Sequence, residues 1–273
     1  MYLNRKNSIG RAVAAVAVTM AVSACSTSRA EELDARTVYG DESAIGDGTA
    51  RTYITTHNGV PQEVGIVLTE SALSGLPRAH DAGGIHEMGH TTFERVLAMP
   101  KDNGTPFKHV LLNWNPGGHE PPGIYDLEHF DFHFYTIDVA ERLAIDPKDP
   151  EFQKKGERTP TPDLIPNGYI MPAPLAFPRM GVHWVDPKSP ELNGQPFTRT
   201  FIYGSWDGKL IFAEPMITKQ FLESKQNFVA PLPEPARYAT PGYYPTEYTI
   251  RWDEKARVYR IALGGLTARG ITD

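Results

Sequence analysis

The sequence has almost no cysteine: Cys25 is the only one among its 273 residues. This excludes a disulfide framework and a thiol nucleophile from the folded part of the chain. A chain exported to an oxidising compartment without disulfides must be stabilised by its hydrophobic core. The residues that follow Cys25 are numerous enough to bury one sizeable core, so we expect a single globular domain.

Basic stripes and long apolar runs are also missing. The net charge of −6 is spread along the sequence, so nucleic acid is not an expected partner. The apolar run at residues 12–24 is shorter than the roughly 20 residues that a membrane-spanning helix needs. It follows the basic residues Arg5, Lys6 and Arg11, and this arrangement is typical of a cleaved signal peptide.

The end of the apolar run predicts a lipid anchor. Val22-Ser23-Ala24-Cys25 resembles the bacterial lipobox, which implies cleavage before Cys25 and acyl chains such as palmitate on its sulfur and new amino terminus. Ser26 favours the periplasmic face of the outer membrane if the source is Gram-negative. We therefore expect a lipoprotein signal peptide at residues 1–24 and a mature protein held in the bacterial cell envelope. The alternative is an ordinary signal peptide with a chance cysteine.

Beyond the anchor, the chain divides into a polar segment and a strand-rich segment. Residues 25–48 are rich in small and charged polar residues and are expected to form a flexible tether. Residues 49–273 contain hairpin signals such as Asn58-Gly59 and Asp207-Gly208 between runs of strand composition. This pattern predicts a single, mainly β domain, either an antiparallel sheet or barrel-like, with a few short helices and long Pro-rich loops.

One predicted strand, His129-Phe-Asp-Phe-His-Phe-Tyr135, alternates strictly between aromatic and polar residues. Because side chains of a strand point alternately to its two faces, one face carries three phenylalanines and the other carries His129, Asp131 and His133. Same-face positions four residues apart lie about 13 Å from each other on a straight strand. Asp131 can therefore pair with one of the two histidines but not with both.

Further potential metal ligands lie elsewhere in the sequence. His119 and Glu120 occupy a loop framed by glycine and proline, His183 lies in Met180-Gly-Val-His-Trp184, and Glu214 ends a predicted strand. Imidazole and carboxylate together suit Zn, the most expected ion, or Fe, Mn or Cu. We predict a divalent-metal site whose candidate ligands are His119, His129, His133, His183 and Glu214, with Glu120 or Asp131 as the candidate catalytic base. A metal-free polar pocket and plain structural histidines are the alternatives.

A second pattern predicts a different chemistry. His86-Glu87-Met88-Gly89-His90 matches H-E-x-x-H, in which two histidines on one face of a helix bind zinc and the glutamate activates water. Gly83-Gly84 lies where such a helix should already be running, which weakens the hypothesis. A zinc metallopeptidase that uses His86, Glu87 and His90 is therefore kept as an alternative function.

The sequence contains four distinctive blocks, at residues 107–121, 129–135, 180–184 and 200–204. These blocks resemble a family of exported bacterial proteins classified as a domain of unknown function, of which a member from a thermophile is structurally known. The resemblance covers roughly residues 38–265 and implies a β-rich, homo-oligomeric domain without an established activity. It also implies that the neighbourhoods of His119, His129, His133 and His183 are characteristic of the family. A structural envelope component without catalysis is thus a third expectation, and the small ligand, if any, is undefined.

Overall fold

A computed structural model describes residues 35–87 and 89–270. The predicted signal peptide and Cys25 lie outside the described residues. None of the described helices is long and apolar enough to cross a bilayer. The helices are α1 (Val139–Leu143), α2 (Phe152–Glu157) and α3 (Lys219–Glu223). The described strands are β1 (Ala35–Tyr39), β2 (Ser43–Ile45), β3 (Gly48–His57), β4 (Val60–Thr69), β5 (Ile85–Glu87), β6 (His90–Ala98), β7 (His109–Asn115), β8 (His129–Tyr135), β9 (Val182–Val185), β10 (Arg199–Trp206), β11 (Lys209–Thr218), β12 (Phe228–Pro231), β13 (Gly242–Tyr244), β14 (Glu247–Asp253), β15 (Val258–Gly264) and β16 (Thr267–Arg269).

The strands form two large antiparallel sheets and one small one. The first sheet has the order β1-β3-β4-β15-β14-β12, with β2 paired to β3, and the second has the order β5-β6-β7-β8-β11-β10-β9. Strands β13 and β16 make the two-stranded sheet. Both large sheets end in edge strands. The prediction of a mainly β, antiparallel fold is confirmed, and its barrel-like alternative is wrong.

The core lies between the two large sheets. Phe130, Phe132 and Phe134 of β8 are fully buried and belong to one cluster with Ile66 of β4 and Ile261 of β15. Burying a large apolar side chain stabilises the fold by about 1.5–3 kcal/mol, so this face of β8 contributes strongly. The alternation in the sequence thus places the aromatic face of β8 against the opposite sheet.

The other face of the second sheet points away from this core and carries polar groups. In the pairing of β7 with β8, Asn115 lies opposite His129 and Asn113 lies opposite Asp131. On the other side of β8, Met216 of β11 lies opposite Asp131. The loop after β7 and the Pro-rich segment at residues 146–197 supply side chains that enclose this outer face.

The tether predicted for residues 25–48 is wrong over residues 35–48. Residues 35–39 form β1 and residues 43–45 form β2, and both strands pair with β3. These strands lie at the edge of the sheet and are mostly exposed. Polar residues are therefore tolerated there, because edge strands bury little apolar surface and strand propensity depends on context.

Candidate metal centre

Three of the predicted groups meet on the outer face of the second sheet: His119 from the loop after β7, and His129 and Asp131 from β8. Their potential ligand atoms all lie within 4.8 Å of one another. His129 Nε2 is 3.0 Å from Asp131 Oδ1, and His119 Nε2 is 3.6 Å from Asp131 Oδ2. Two ligands of a tetrahedral zinc lie about 3.4 Å apart, given Zn–N bonds of about 2.0–2.1 Å. The spacing of the three groups therefore suits a single ion.

Backbone carbonyls fix the orientation of both imidazoles. His119 Nδ1 is 2.7 Å from the carbonyl oxygen of Glu120, and His129 Nδ1 is 2.7 Å from that of Leu127. Because a carbonyl oxygen only accepts hydrogen bonds, each Nδ1 carries the proton in this assignment. The Nε2 lone pairs of both rings are then directed at the Asp131 carboxylate. An outer hydrogen bond of this kind is typical of metal-ligating histidines.

Asp131 is held by a neighbour that the sequence did not single out. Asn115 Nδ2 donates a hydrogen bond of 2.6 Å to Asp131 Oδ2 and lies 3.2 Å from His129 Nε2. Asp131 Oδ1 is buried without a hydrogen-bond partner among the described residues. Asn115 thus positions one carboxylate oxygen, and the other faces His129 Nε2 at 3.0 Å.

Contacts within the trio shift the pKa values of Asp131 and His119 in opposite directions. Burial alone would raise the pKa of Asp131, but its interactions with His129 and His119 outweigh burial and hold that pKa well below its ordinary value. Burial likewise opposes protonation of His119, yet Asp131 raises the pKa of His119 above its ordinary value. Asp131 is therefore a carboxylate at neutral pH, the form that binds metal ions.

His133 and Glu214 form a separate, fully buried pair. His133 Nε2 is 3.2 Å from Glu214 Oε1. Burial lowers the pKa of His133 to about 3, and burial together with the charge of Asp131 raises the pKa of Glu214 well above its ordinary value. His133 is therefore a neutral imidazole at pH 7, and the pair lies apart from the three groups whose potential ligand atoms converge.

His183 lines the same cavity but is not a member of the trio. Its ring packs against Phe177 and Phe212, at centroid distances of 4.9 and 5.8 Å, and burial lowers its pKa to about 4. Of the predicted metal ligands, His119 and His129 therefore come together, whereas His133, His183 and Glu214 are not part of that cluster. The separation of His129 from His133 follows from strand spacing.

Glu120 lies beside the trio and has a partner of its own. Its Oε2 is 3.1 Å from His90 Nδ1, and the His90 and His119 rings are 5.5 Å apart. Both His90 and Glu120 line the cavity. Of the two candidate bases, Asp131 therefore contacts the histidines of the trio, whereas Glu120 lies beside the trio and contacts His90.

The peptidase hypothesis is wrong for this fold. His86 and His90 lie on the β5–β6 hairpin, in which Glu87 pairs with His90 and His86 pairs with Thr91. The side chains at positions 86 and 90 therefore belong to opposite faces of the hairpin, instead of sharing one face of a helix. Gly89 has φ of +91°, which an α-helix does not allow. His86 is exposed and its Nδ1 lies 2.9 Å from Thr91 Oγ1.

A cavity of ≈ 440 Å³ adjoins these polar groups, within the range typical of small-molecule sites. Asp131, His133 and Glu214 belong to its sheet side. Most of its remaining lining is apolar, and the loop after β7 and the Pro-rich segment contribute much of it. The apolar lining includes Ile124, Leu175, Met180, Leu192, Ile202 and Met216.

The sequence analysis missed Asn115 and assigned His90 to a different site. His109, Asn113 and Asn115 lie an even number of residues apart on β7, so the polar residues of β7 lie on one face, as those of β8 do. The pairing of Asn115 with His129 depends on the register between the two strands, and a single strand's pattern does not contain that register. His90 reaches the cavity only through the hairpin that replaces the expected helix.

Comparison of the sequence with known proteins gives one family match. A sequence model of the TTHB210-like family, described as hypothetical protein TTHB210, matches residues 56–114. The match fits the resemblance to a structurally known, thermophile-derived family without a named function. It ends before His119, so it does not reach the trio. No curated protein and no solved structure gives a significant match to the chain.

Proposed function

We propose that this protein binds one divalent transition-metal ion through His119, His129 and Asp131. The observation that carries the proposal is the orientation of the two imidazoles. Each is pinned at Nδ1 by a backbone carbonyl, and each directs Nε2 at the same buried carboxylate. Without a cation or an added proton, the lone pair of His119 Nε2 would face the Asp131 carboxylate in a largely buried site, at a cost in free energy.

The ligand set favours zinc, with iron, manganese and copper as further candidates. Two imidazoles and one carboxylate form a set used by catalytic zinc sites and by non-haem iron sites, both of which leave a coordination position for water or substrate. The adjoining cavity gives a small molecule access to that position. Three protein ligands beside a ligand-sized cavity support a binding or metal-dependent catalytic role over a purely structural one.

Elemental analysis tests the proposal directly. The protein, purified without a histidine tag and equilibrated with zinc, is expected to hold about one zinc ion per chain. The variants His119→Ala, His129→Ala and Asp131→Asn are each expected to lose most of that zinc, because two remaining ligands bind weakly. Full zinc retention in all three variants would refute the assignment.

The chain offers matched controls on histidines outside the trio. His57→Ala and His86→Ala change residues that do not belong to the trio and should leave the stoichiometry unchanged. His133→Phe tests the narrower assignment, because His133 belongs to the pair with Glu214. Zinc loss in His133→Phe, with the fold intact by circular dichroism, would show that the ligand set extends along β8.

We also propose that the protein acts in the bacterial cell envelope as a lipoprotein anchored through Cys25. The lipobox-like Val22-Ser23-Ala24-Cys25 and the basic residues before the apolar run support this placement. Assembly into a homo-oligomer is proposed on the family resemblance alone. Sedimentation of the purified protein at several concentrations tests it: a single species with the mass of one chain would end that proposal.

A further inference from the structure

The pair formed by His133 and Glu214 has hydrogen-bonding capacity that the described residues do not use. His133 is 1% exposed and Glu214 is 2% exposed. Both nitrogens of His133 and the Oε2 of Glu214 are buried without a hydrogen-bond partner among the described residues. The 3.2 Å contact between the two side chains is not aligned as a hydrogen bond. A buried polar group left unsatisfied costs about 1–3 kcal/mol, so a pair of them requires an explanation.

The location of the pair supplies that explanation. Both residues line the ≈ 440 Å³ cavity beside the metal centre, and apolar side chains make up most of the remaining lining. A largely apolar cavity with a few convergent polar groups is the usual form of a small-molecule site. A hydroxyl group donates one hydrogen bond and accepts others, so it can satisfy an imidazole nitrogen and a carboxyl oxygen at once.

The two polar ends of the cavity lie at a defined spacing. Asp131 and His133 are same-face neighbours on β8, and such neighbours lie about 6–7 Å apart. A divalent ion held by a single carboxylate would leave net positive charge at the Asp131 end. A ligand with an anionic oxygen at that end and a hydroxyl at the other would satisfy both ends without leaving a buried charge unpaired.

We infer that the cavity binds a small, largely apolar hydroxy acid, with its acid group facing the metal centre and its hydroxyl bonded to His133 and Glu214. This inference rests on the proposed metal site. It adds a substrate or ligand class to that site and gives His133 and Glu214 a recognition role separate from metal binding. 4-Hydroxybenzoate carries its two oxygen groups at opposite ends of one ring, and benzoate lacks only the hydroxyl, so the two compounds form a matched pair of probes.

Calorimetric titration of the zinc-loaded protein with each probe tests the inference. The wild type is expected to bind 4-hydroxybenzoate about tenfold more tightly than benzoate, the effect of about one well-formed hydrogen bond. In the double variant His133→Phe/Glu214→Leu this ratio should fall to about one. Glu214→Gln, which keeps hydrogen-bonding atoms, should retain most of the preference. Leu143→Ala, at an exposed position on α1 that does not line the cavity, should retain all of it.

The outcomes separate the ligand inference from the metal proposal. Equal affinity of the wild type for both probes, or no binding of either to protein that holds a full zinc ion, overturns the inference and leaves the metal site intact. A preference that persists in the double variant overturns the assignment of the hydroxyl to His133 and Glu214. Failure of the wild type to hold zinc overturns the metal proposal itself. Circular dichroism and zinc content, measured for every variant, show whether each one is folded.

Discussion

At the scale of single residues, Asn115 is the side chain that organises the proposed ligand set. It is 1% exposed, and its amide donates to Asp131 Oδ2 at 2.6 Å. This contact sets the rotation of the carboxylate without using Oδ1, the oxygen that has no hydrogen-bond partner among the described residues. Groups that orient metal ligands in this way typically contribute 10- to 100-fold in affinity.

We therefore expect Asn115→Ala to weaken zinc binding by about 10- to 100-fold while leaving the stoichiometry at saturating zinc unchanged. Competition with a chromogenic chelator measures the affinity. Asn227→Ala is the matched control, because Asn227 accepts a hydrogen bond from the backbone of Trp252 in the first sheet. An Asn115→Ala protein with wild-type affinity would mean that Asp131 needs no support.

His109 makes the stability of the protein sensitive to acid. Its ring is buried and stacks on Tyr135 at 4.9 Å with an interplanar angle of 8°. Burial, with a smaller effect from the charge of Arg142, lowers the pKa of His109 to about 4. As the pH falls below about 6.5, the unfolded chain takes up a proton that the folded chain accepts only near pH 4, so stability is lost over that window.

The variant His109→Phe should remove this contribution. Between pH 7.5 and pH 5.0 we expect its free energy of unfolding to fall by about 2 kcal/mol less than that of the wild type, at about 1.4 kcal/mol per unit of pKa shift. Urea unfolding at the two pH values measures the difference. His80→Ala, a change at an exposed position, should keep the wild-type pH dependence. Parallel pH profiles for His109→Phe and the wild type would contradict the prediction.

At the scale of secondary-structure elements, strand β8 serves two purposes at once. Its phenylalanines face the core between the sheets, and its polar residues face the cavity. The two faces depend on different physics: volume and apolar contact on one, and charge and hydrogen bonding on the other. Substitutions on the two faces should therefore separate stability from metal binding.

Phe132→Ala is expected to lower the free energy of unfolding by about 3–5 kcal/mol, because it opens a cavity at a position that is fully buried. Denaturant titration measures this change. Val229→Ala, at a position that is 59% exposed on β12, should change stability by less than about 0.5 kcal/mol. A small effect of Phe132→Ala would show that the aromatic face is not close-packed.

The sequence predicted individual secondary-structure elements better than it predicted the contacts between them. Strict alternation predicted β8 and both of its faces, because the period of two is local to one strand. Asn58-Gly59 predicted the β3–β4 hairpin through the positive φ values that these residues adopt. The presence of Asn115 beside Asp131 depends on the register between two strands, and the membership of His119 depends on the path of a loop. Neither is encoded in a local pattern.

Two errors have the same physical origin. The H-E-x-x-H pattern is compatible with a helix, but Gly89 and the pairing of Glu87 with His90 close a hairpin instead. Residues 35–48 are polar enough for a tether, yet they pair with β3 at the edge of the first sheet. In both cases a partner strand, distant from or adjacent to the segment in sequence, overrode the local preference.

At the scale of the whole molecule, the expected lipid anchor determines where the metal centre would work. In a bacterial host, wild-type protein should incorporate radiolabelled palmitate and fractionate with membranes, because several acyl chains on one residue anchor firmly. Cys25→Ala should lose both the label and the membrane association. Ser26→Ala should keep the label, since the acylated sulfur is unchanged. Unlabelled wild-type protein would refute the anchor.

The double use of β8 also limits how the length of this chain can change. Deleting any one residue inside β8 would move every side chain beyond the deletion to the opposite face of the sheet. Phenylalanines would then point into the cavity, and histidine or aspartate would point into the hydrophobic core. Such a deletion would therefore abolish both core packing and metal binding. An insertion in the exposed parts of the Pro-rich segment would disturb neither. Natural variants of this protein should therefore differ in length in that segment and keep β8 at seven residues.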